Sequence, residues 1–158
     1  MEIVLDIINL KERPDVCQQL AHWHYQEWHA LYPQDSAESF LQDLKKSLGD
    51  RDIPSTWIMV EGDQLLGSCS LIEDDMDSRQ ELTPWLANVF IHPQHRGRGL
   101  GSQLVRAVMD KARQAGVSRC YLFTEDQSAL YRKLGWTVYE ETDNHGIPVT
   151  LMQMEFSA

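Results

Sequence analysis

The stretch VFIHPQHRGRGLGSQLV, Val89 to Val105, decides how the rest of the chain is read. Its first residues are β-branched and aromatic, as in a strand, and its last begin an amphipathic pattern. Between them stand Arg96, Arg98 and the alternating glycines Gly97, Gly99 and Gly101. A strand, a glycine-rich turn and a helix N-terminus make an anion site from backbone alone. The first helical N–H groups lack intrahelical partners, and the helix dipole places partial positive charge there. Glycine permits positive φ and removes the Cβ that would hold a phosphate away. A pyrophosphate is the expected guest, with the two arginines adding charge at the rim.

Downstream, Leu100, Leu104, Val105, Val108, Met109 and Ala112 recur at the helical period, and Gly116 supplies the stop. RCYLFT (119–124) reads as a buried strand, DQSALYRKLG (126–135) as a short helix closed by Gly135. WTVYEET (136–142) and IPVTLMQMEF (147–156) form a last hairpin around Asn144-His145-Gly146. Upstream, MEIVLDIINL (1–10) predicts a first strand. Pro14 and Asp15 open a helical stretch to about Leu31, and Ser36 caps a second helix ending near Gly49. STWIMVEGDQLLGSCSLIE (55–73) predicts two strands around a Gly62-Asp63 turn, and PWLANVFIH (84–92) a third. The order β-α-α-β-β-β-α-β-α-β-β, with no linker or repeat, predicts one domain over residues 1–158.

Hydrophobic residues make up 42% and charged residues 24% of the 158, the balance of an ordinary soluble protein. The start carries Glu2 and Asp6 and no basic region, unlike a signal peptide, and no apolar run approaches the ~20 residues of a membrane span. Cys17, Cys69 and Cys120 are few, odd in number and far apart, as in a reducing compartment; a cytoplasmic location is expected. A net charge of -10 argues against nucleic acid or an anionic membrane as partner. The charge is uneven. Val89 to Gly116 holds five basic residues against Asp110 alone, while Glu73, Asp74, Asp75, Asp77 and Glu81 face only Arg79. The basic segment suits an anion and the acidic run a cation, although charge runs are often just solvated faces.

Three phosphate motifs compete at the glycines. The dinucleotide fingerprint G-x-G-x-x-G is missed by one residue, and the acid expected about 20 residues onward is absent, Cys120 and Tyr121 standing there. A P-loop needs a lysine that Gly62 to Ser68 lacks. The third pattern, R/Q-x-x-G-x-G/A, is met by Arg96, Gly99 and Gly101.

Here the chain resembles the GNAT N-acetyltransferase superfamily. VFIHPQHRGRGLGSQLV is similar to its acetyl-CoA motif, and ALYRKLGW (129–136) to its second signature. The resemblance implies an α/β fold: a mixed, mostly antiparallel sheet with helices on both faces. It implies transfer of an acetyl group from acetyl-CoA to a primary amine by direct attack, without a metal. Main-chain groups of Val89, Phe90 and Ile91 would pair with the pantetheine arm, and the backbone from Arg96 through Gly97, Arg98, Gly99, Leu100 and Gly101 to Ser102 would cradle the pyrophosphate. Tyr131 would protonate the leaving thiolate; without the motif it reads as a core tyrosine. Glu73 is the first candidate for the base that takes the amine proton, with Asp74 and Asp75 behind it toward the acceptor.

HWHYQEWHALY (22–32) invites a metal reading, but His22 and His24 point to different helix faces and no cysteine pair supports zinc. Trp28 and Tyr32 are core-like residues that, by the resemblance, border the acceptor site. A cationic small molecule such as a polyamine or amino sugar suits the acidic run. A protein N-terminus or lysine, a non-catalytic acyl-CoA-binding regulatory module, and a homodimer all remain open.

Overall fold

The computed structural model of the protein describes residues 5–156. One seven-stranded sheet runs through it. In chain order the elements are β1 (Leu5–Asn9), α1 (Cys17–Trp28), α2 (Ala37–Lys45), β2 (Ser55–Glu61), β3 (Gln64–Ile72), β4 (Trp85–Ile91), α3 (Leu100–Gln114), β5 (Arg119–Thr124), α4 (Ser128–Lys133), β6 (Thr137–Asn144) and β7 (Ile147–Glu155). The predicted order is the observed one. The first four residues of the predicted first strand lie outside the described residues. The helical stretch from Pro14 is a 3₁₀ turn that passes into α1, and α2 ends in another, Lys46–Leu48.

Local chemistry accounts for these boundaries. Ser36 caps α2 reciprocally: its hydroxyl accepts from the Ser39 N–H at 3.1 Å, and the Ser39 hydroxyl accepts from the Ser36 N–H at 2.8 Å. Alternation along the strands then separates two cores. Ile58 and Val60 of β2 pack with Leu65, and with Leu10, Leu20 and Leu44 on the α1–α2 side. Met59, between them, turns to the other face, where Leu66, Leu104, Val108, Tyr131 and Trp136 gather around α3 and α4. Helices cover both faces of a mostly antiparallel sheet. Among the described residues, no helix is long and apolar enough to cross a membrane.

Among the described residues the strand order is β1-β2-β3-β4-β5-β7-β6, and only β4 and β5 run parallel. They pair at one position, Trp85 with Tyr121, and part beyond it. A second irregularity lies in β4 itself. Its register with β3 passes from Ala87↔Ser70 to Phe90↔Ser68, so Asn88 and Val89 together face Cys69, and Asn88 takes φ 54°. This is a β-bulge. It sends the Phe90 side chain to the α1 face, against Trp23, His24 and Trp28, while Val89 and Ile91 pack on the α3 side.

β3 and β4 approach closely at Gly67, where a Cβ would stand 2.3 Å from the Phe90 carbonyl oxygen and 2.6 Å from Ile91 Cδ1. The first contact is with backbone, which cannot swing aside. Gly67→Ala should therefore destabilise by about 1–3 kcal/mol, as overpacking does. Gly49→Ala, where a Cβ meets nothing within 4 Å, should stay within about 0.5 kcal/mol of the parent in urea unfolding.

Candidate active site

The glycine-rich turn stands between the end of β4 and the start of α3. Gly99 is the N-cap of α3 and adopts the left-handed conformation, φ 73° and ψ 14°, and no side chain caps the helix. Glycine holds that conformation at little cost. The amides of Leu100, Gly101 and Ser102 thus have no intrahelical partner, and the positive end of a 15-residue helix lies behind them. Leu100 is buried in the core and anchors the turn; Gly101 lies against Ile91. No side chain of Gly97 or Gly99 obstructs the approach.

The two arginines are held differently from the expectation of free rim charges. Arg96 folds back: its Nε donates to the Ile91 carbonyl at 2.7 Å, its guanidinium lies 5.5 Å from the Phe90 ring centre, and Nη2 is 3.7 Å from Glu27. It ties the loop to the end of β4. Arg98 pairs with Glu61 at 3.4 Å. What the loop offers first is backbone donors, with partly neutralised charge beside them.

Tyr131 lies on α4, in the core cluster that also holds Leu100 and Leu104 of α3. It is 7% exposed and packs edge-on against Trp136, and its carbonyl accepts from both Leu134 and Trp136 in the turn that Gly135 closes. Burial, and then the neighbouring Cys69, pushes its pKa upward, so the phenol stays protonated. All three cysteines are buried and free.

The acidic run is less uniform than its sequence suggests. Glu73 is exposed and pairs with Arg51 at 3.2 Å; Asp77 pairs with His145 at 3.4 Å. Arg79 bonds to Glu140 and lies 3.9 Å from Glu81. Asp74 is exposed, whereas Asp75 is half-buried. Crowding of the Asp75 carboxyl by protein, then repulsion from Asp77, lifts its pKa to about 7. Asp75 also neighbours Tyr32, whose pKa is raised by burial first and this carboxylate second.

Tyr32 meets the β6–β7 turn, its ring 6.2 Å from that of His145. An open depression of about 360 Å³ lies here, lined by Asp77, Ser78, Arg79, Thr142, Asp143, Asn144 and His145. Trp28 stands apart from it, edge-on to Phe90 at 6.0 Å. Sequence reasoning named Asp75 and Tyr32 but missed the hairpin tip, because nothing local ties Asn144-His145 to residues so far upstream. It also left His24 as a rejected metal ligand. His24 is buried, and its ring bonds to Ser68 at 2.8 Å.

With this geometry, comparison with known proteins is informative. Residues 17–136 match the acetyltransferase (GNAT) family, and the chain belongs to it. An L-methionine sulfoximine/L-methionine sulfone acetyltransferase from Salmonella typhimurium is 32% identical over 78 residues, 43% of this chain and 46% of that one. The chain thus matches less than half of that relative's length. An acetyltransferase of the GNAT family from Streptococcus pneumoniae superposes with a TM-score of 0.73 at 19% identity, over 98% of this chain and 100% of its own. The PaiA N-acetyltransferase from Thermoplasma acidophilum, solved in complex with coenzyme A, gives 0.68 at 20% identity over 98% and 100%.

Asp75 gives a stability signature that is independent of turnover. Its folded pKa lies above its unfolded value of about 3.9, so the folded state binds the extra proton and stability falls as pH rises from about 4 through 7. Asp75→Asn should unfold at higher denaturant than the parent at pH 8, and the difference should shrink toward zero near pH 4. A gap of equal size at both pH values would mean that the carboxyl is not raised.

Proposed function

We propose that the chain is a single-domain N-acetyltransferase that moves an acetyl group from acetyl-CoA to the primary amine of a small molecule. The observation that carries this reading is the junction of β4 and α3. A strand that has lost its β5 neighbour runs into an uncapped helix N-terminus. An extended pantetheine arm fits the first, and a pyrophosphate fits the second. Val89, Phe90 and Ile91 would bind the arm, and the amides from Arg96 to Ser102 the phosphates. Bound acetyl-CoA supplies a thioester, an acyl group already activated toward nitrogen.

The chain's own residues then manage two protons. The attacking nitrogen bonds to the acyl carbon as the carbon–sulfur bond breaks. An ammonium acceptor must first lose one proton, and the second leaves nitrogen after attack. Asp75 is the better base. With a pKa of about 7 it accepts a proton readily near neutral pH, while Glu73 is spent on Arg51. Tyr131, kept as a phenol by burial, gives its proton to the departing sulfur and regains one from solvent. Asp74, Asp75 and Asp77 would draw in a cation, with Tyr32 and the β6–β7 turn as walls and Trp28 bordering the arm. The Salmonella relative, named for amino-acid derivatives, supports a small amine as acceptor. The free, buried thiols favour a reducing compartment such as the cytoplasm.

The test is a panel of polyamines, amino sugars, amino-acid derivatives such as L-methionine sulfone, and a lysine peptide, each with acetyl-CoA. Free-thiol release and product mass are the readouts. A cationic acceptor should give a kcat/KM that falls with added salt. Tight CoA binding with no thiol release from any amine would favour the non-catalytic binding module. On a working acceptor, Tyr131→Phe should lower kcat about 10²–10⁴-fold with little change in CoA affinity. Asp75→Asn should remove the acidic limb of the pH–rate profile near pH 7, and Glu73→Gln should leave that limb in place.

A further inference from the structure

A chain of hydrogen bonds, buried at His24 and the hydroxyls and half-buried at Asn88, runs from α1 to the bulge of β4. His24 is 3% exposed, and its Nε2 lies 2.8 Å from the Ser68 hydroxyl. That hydroxyl donates to the Asn88 carbonyl at 2.8 Å. Asn88, at φ 54°, in turn donates from Nδ2 to Ser70 Oγ at 3.2 Å, and Ser70 shares a 2.8 Å bond with Thr56. Ser68, Ser70 and Thr56 are all essentially unexposed. Five polar side chains in a row between a helix and a sheet are costly unless every bond is made. None of them is used in the proton transfers above.

The proton directions follow from counting. Ser68 has one hydroxyl hydrogen, and it goes to Asn88, so toward His24 this oxygen is an acceptor. His24 must then carry its hydrogen on Nε2. Burial holds its pKa down to about 3, so the ring is neutral and this tautomer is available throughout the working range. The left-handed backbone of a non-glycine residue is sparsely populated and persists where its surroundings impose it.

The consequence lies in the peptide that Asn88 shares with Val89. A trans peptide is planar, with its C=O and N–H pointing in opposite directions. Ser68 is on β3 and fixes the Asn88 carbonyl toward that strand. The Val89 N–H therefore points the other way, to the side where β5 offers no ladder partner beyond Trp85. Resting on the acetyltransferase reading above, we propose that His24 and Ser68 are positioning residues that aim the Val89 N–H at the carbonyl oxygen of the acyl group, and so set the rate of transfer without touching substrate.

The experiment compares Ser68→Ala, Ser68→Thr, His24→Leu and His24→Gln with the parent, each scored per folded molecule. Ser68→Ala and His24→Leu should lower kcat about 10- to 100-fold, the scale for a displaced catalytic donor, while KM for acetyl-CoA changes less than about threefold. Ser68→Thr keeps the hydroxyl and His24→Gln keeps a donor, so both should recover most of the lost rate. No new ionisation should enter the pH profile of either His24 variant, because the ring is neutral in the parent. The aim of the peptide is also read without turnover. The ¹H–¹⁵N resonance of Val89 in the free protein should shift in the Ala and Leu variants and return in the Thr and Gln variants.

A parent with no turnover overturns the acetyltransferase reading, and the Val89 resonance still decides the positioning. Normal kcat in folded Ser68→Ala, or loss confined to stability, overturns the positioning proposal, as does a Val89 resonance indifferent to all four changes. If Ser68→Ala does not fold, a Ser68→Thr variant as slow as His24→Leu would have the same force.

Discussion

The two halves of the sheet meet at one paired position, Trp85 with Tyr121, and the arrangement of the site depends on that brevity. Trp85 is fully buried, its indole N–H donates to the Leu82 carbonyl at 2.7 Å, and its ring stands 5.9 Å from Tyr121 and 6.3 Å from Phe123. The Tyr121 N–H bonds to the Pro84 carbonyl at 3.0 Å just before the pair. A longer parallel ladder would have used up the hydrogen-bonding edge of β4. Because the strands part after one residue, β4 keeps open main-chain groups in the middle of a buried sheet. An interior edge of this kind can take an added strand or an extended ligand.

The bulge and the splay act together. A regular β4 would point Phe90 toward α3 and leave the α1 face without its aromatic centre. With one extra residue at Asn88 the alternation slips, and Phe90 gathers Trp23, His24, Trp28 and the Arg96 guanidinium on one side. The same slip brings the Asn88 carbonyl to the Ser68 hydroxyl. A residue in a sparse conformation is stable here because hydrogen bonds from β3 and α1 hold its carbonyl and its side chain. Electrostatics divides along the same line. Backbone dipoles and modest positive charge lie at the glycine end, and carboxylates lie in the β3–β4 loop. Ion pairing tempers both, so the less compensated groups, the α3 amides and Asp75, stand out.

Much of this was legible in the chain. The period of Leu100, Leu104, Val105 and Val108, the Ser36 cap and the Gly62-Asp63 turn are local signals, and each formed where expected. The loop motif was readable because a helix N-terminus without a capping side chain has a short list of uses. Other features needed the third dimension. Asn88 passed unremarked in a strand of apolar residues, because its meaning depends on Ser68 twenty positions earlier. His24 looked like part of a histidine cluster; its partner lies 44 residues away. Glu73 and Asp75 are indistinguishable as members of an acidic run, and only burial and neighbours separate them.

The sequence by itself determined the order of elements, the glycine-rich entry to α3 and the membership of a family, because turns, caps and glycines act through bonds between residues close in the chain. Tertiary structure decided what holds each arginine, which carboxylate is raised and which hydroxyl the Asn88 carbonyl meets. Those properties are set by desolvation and by partners brought together across the sheet, and neither is encoded at any one position. Arg96 became a loop tie rather than a rim charge because the end of β4 presented a carbonyl within its reach. Asp75 acquired its high pKa because packing enclosed it beside Asp77, while Glu73, two residues away, remained in water with Arg51.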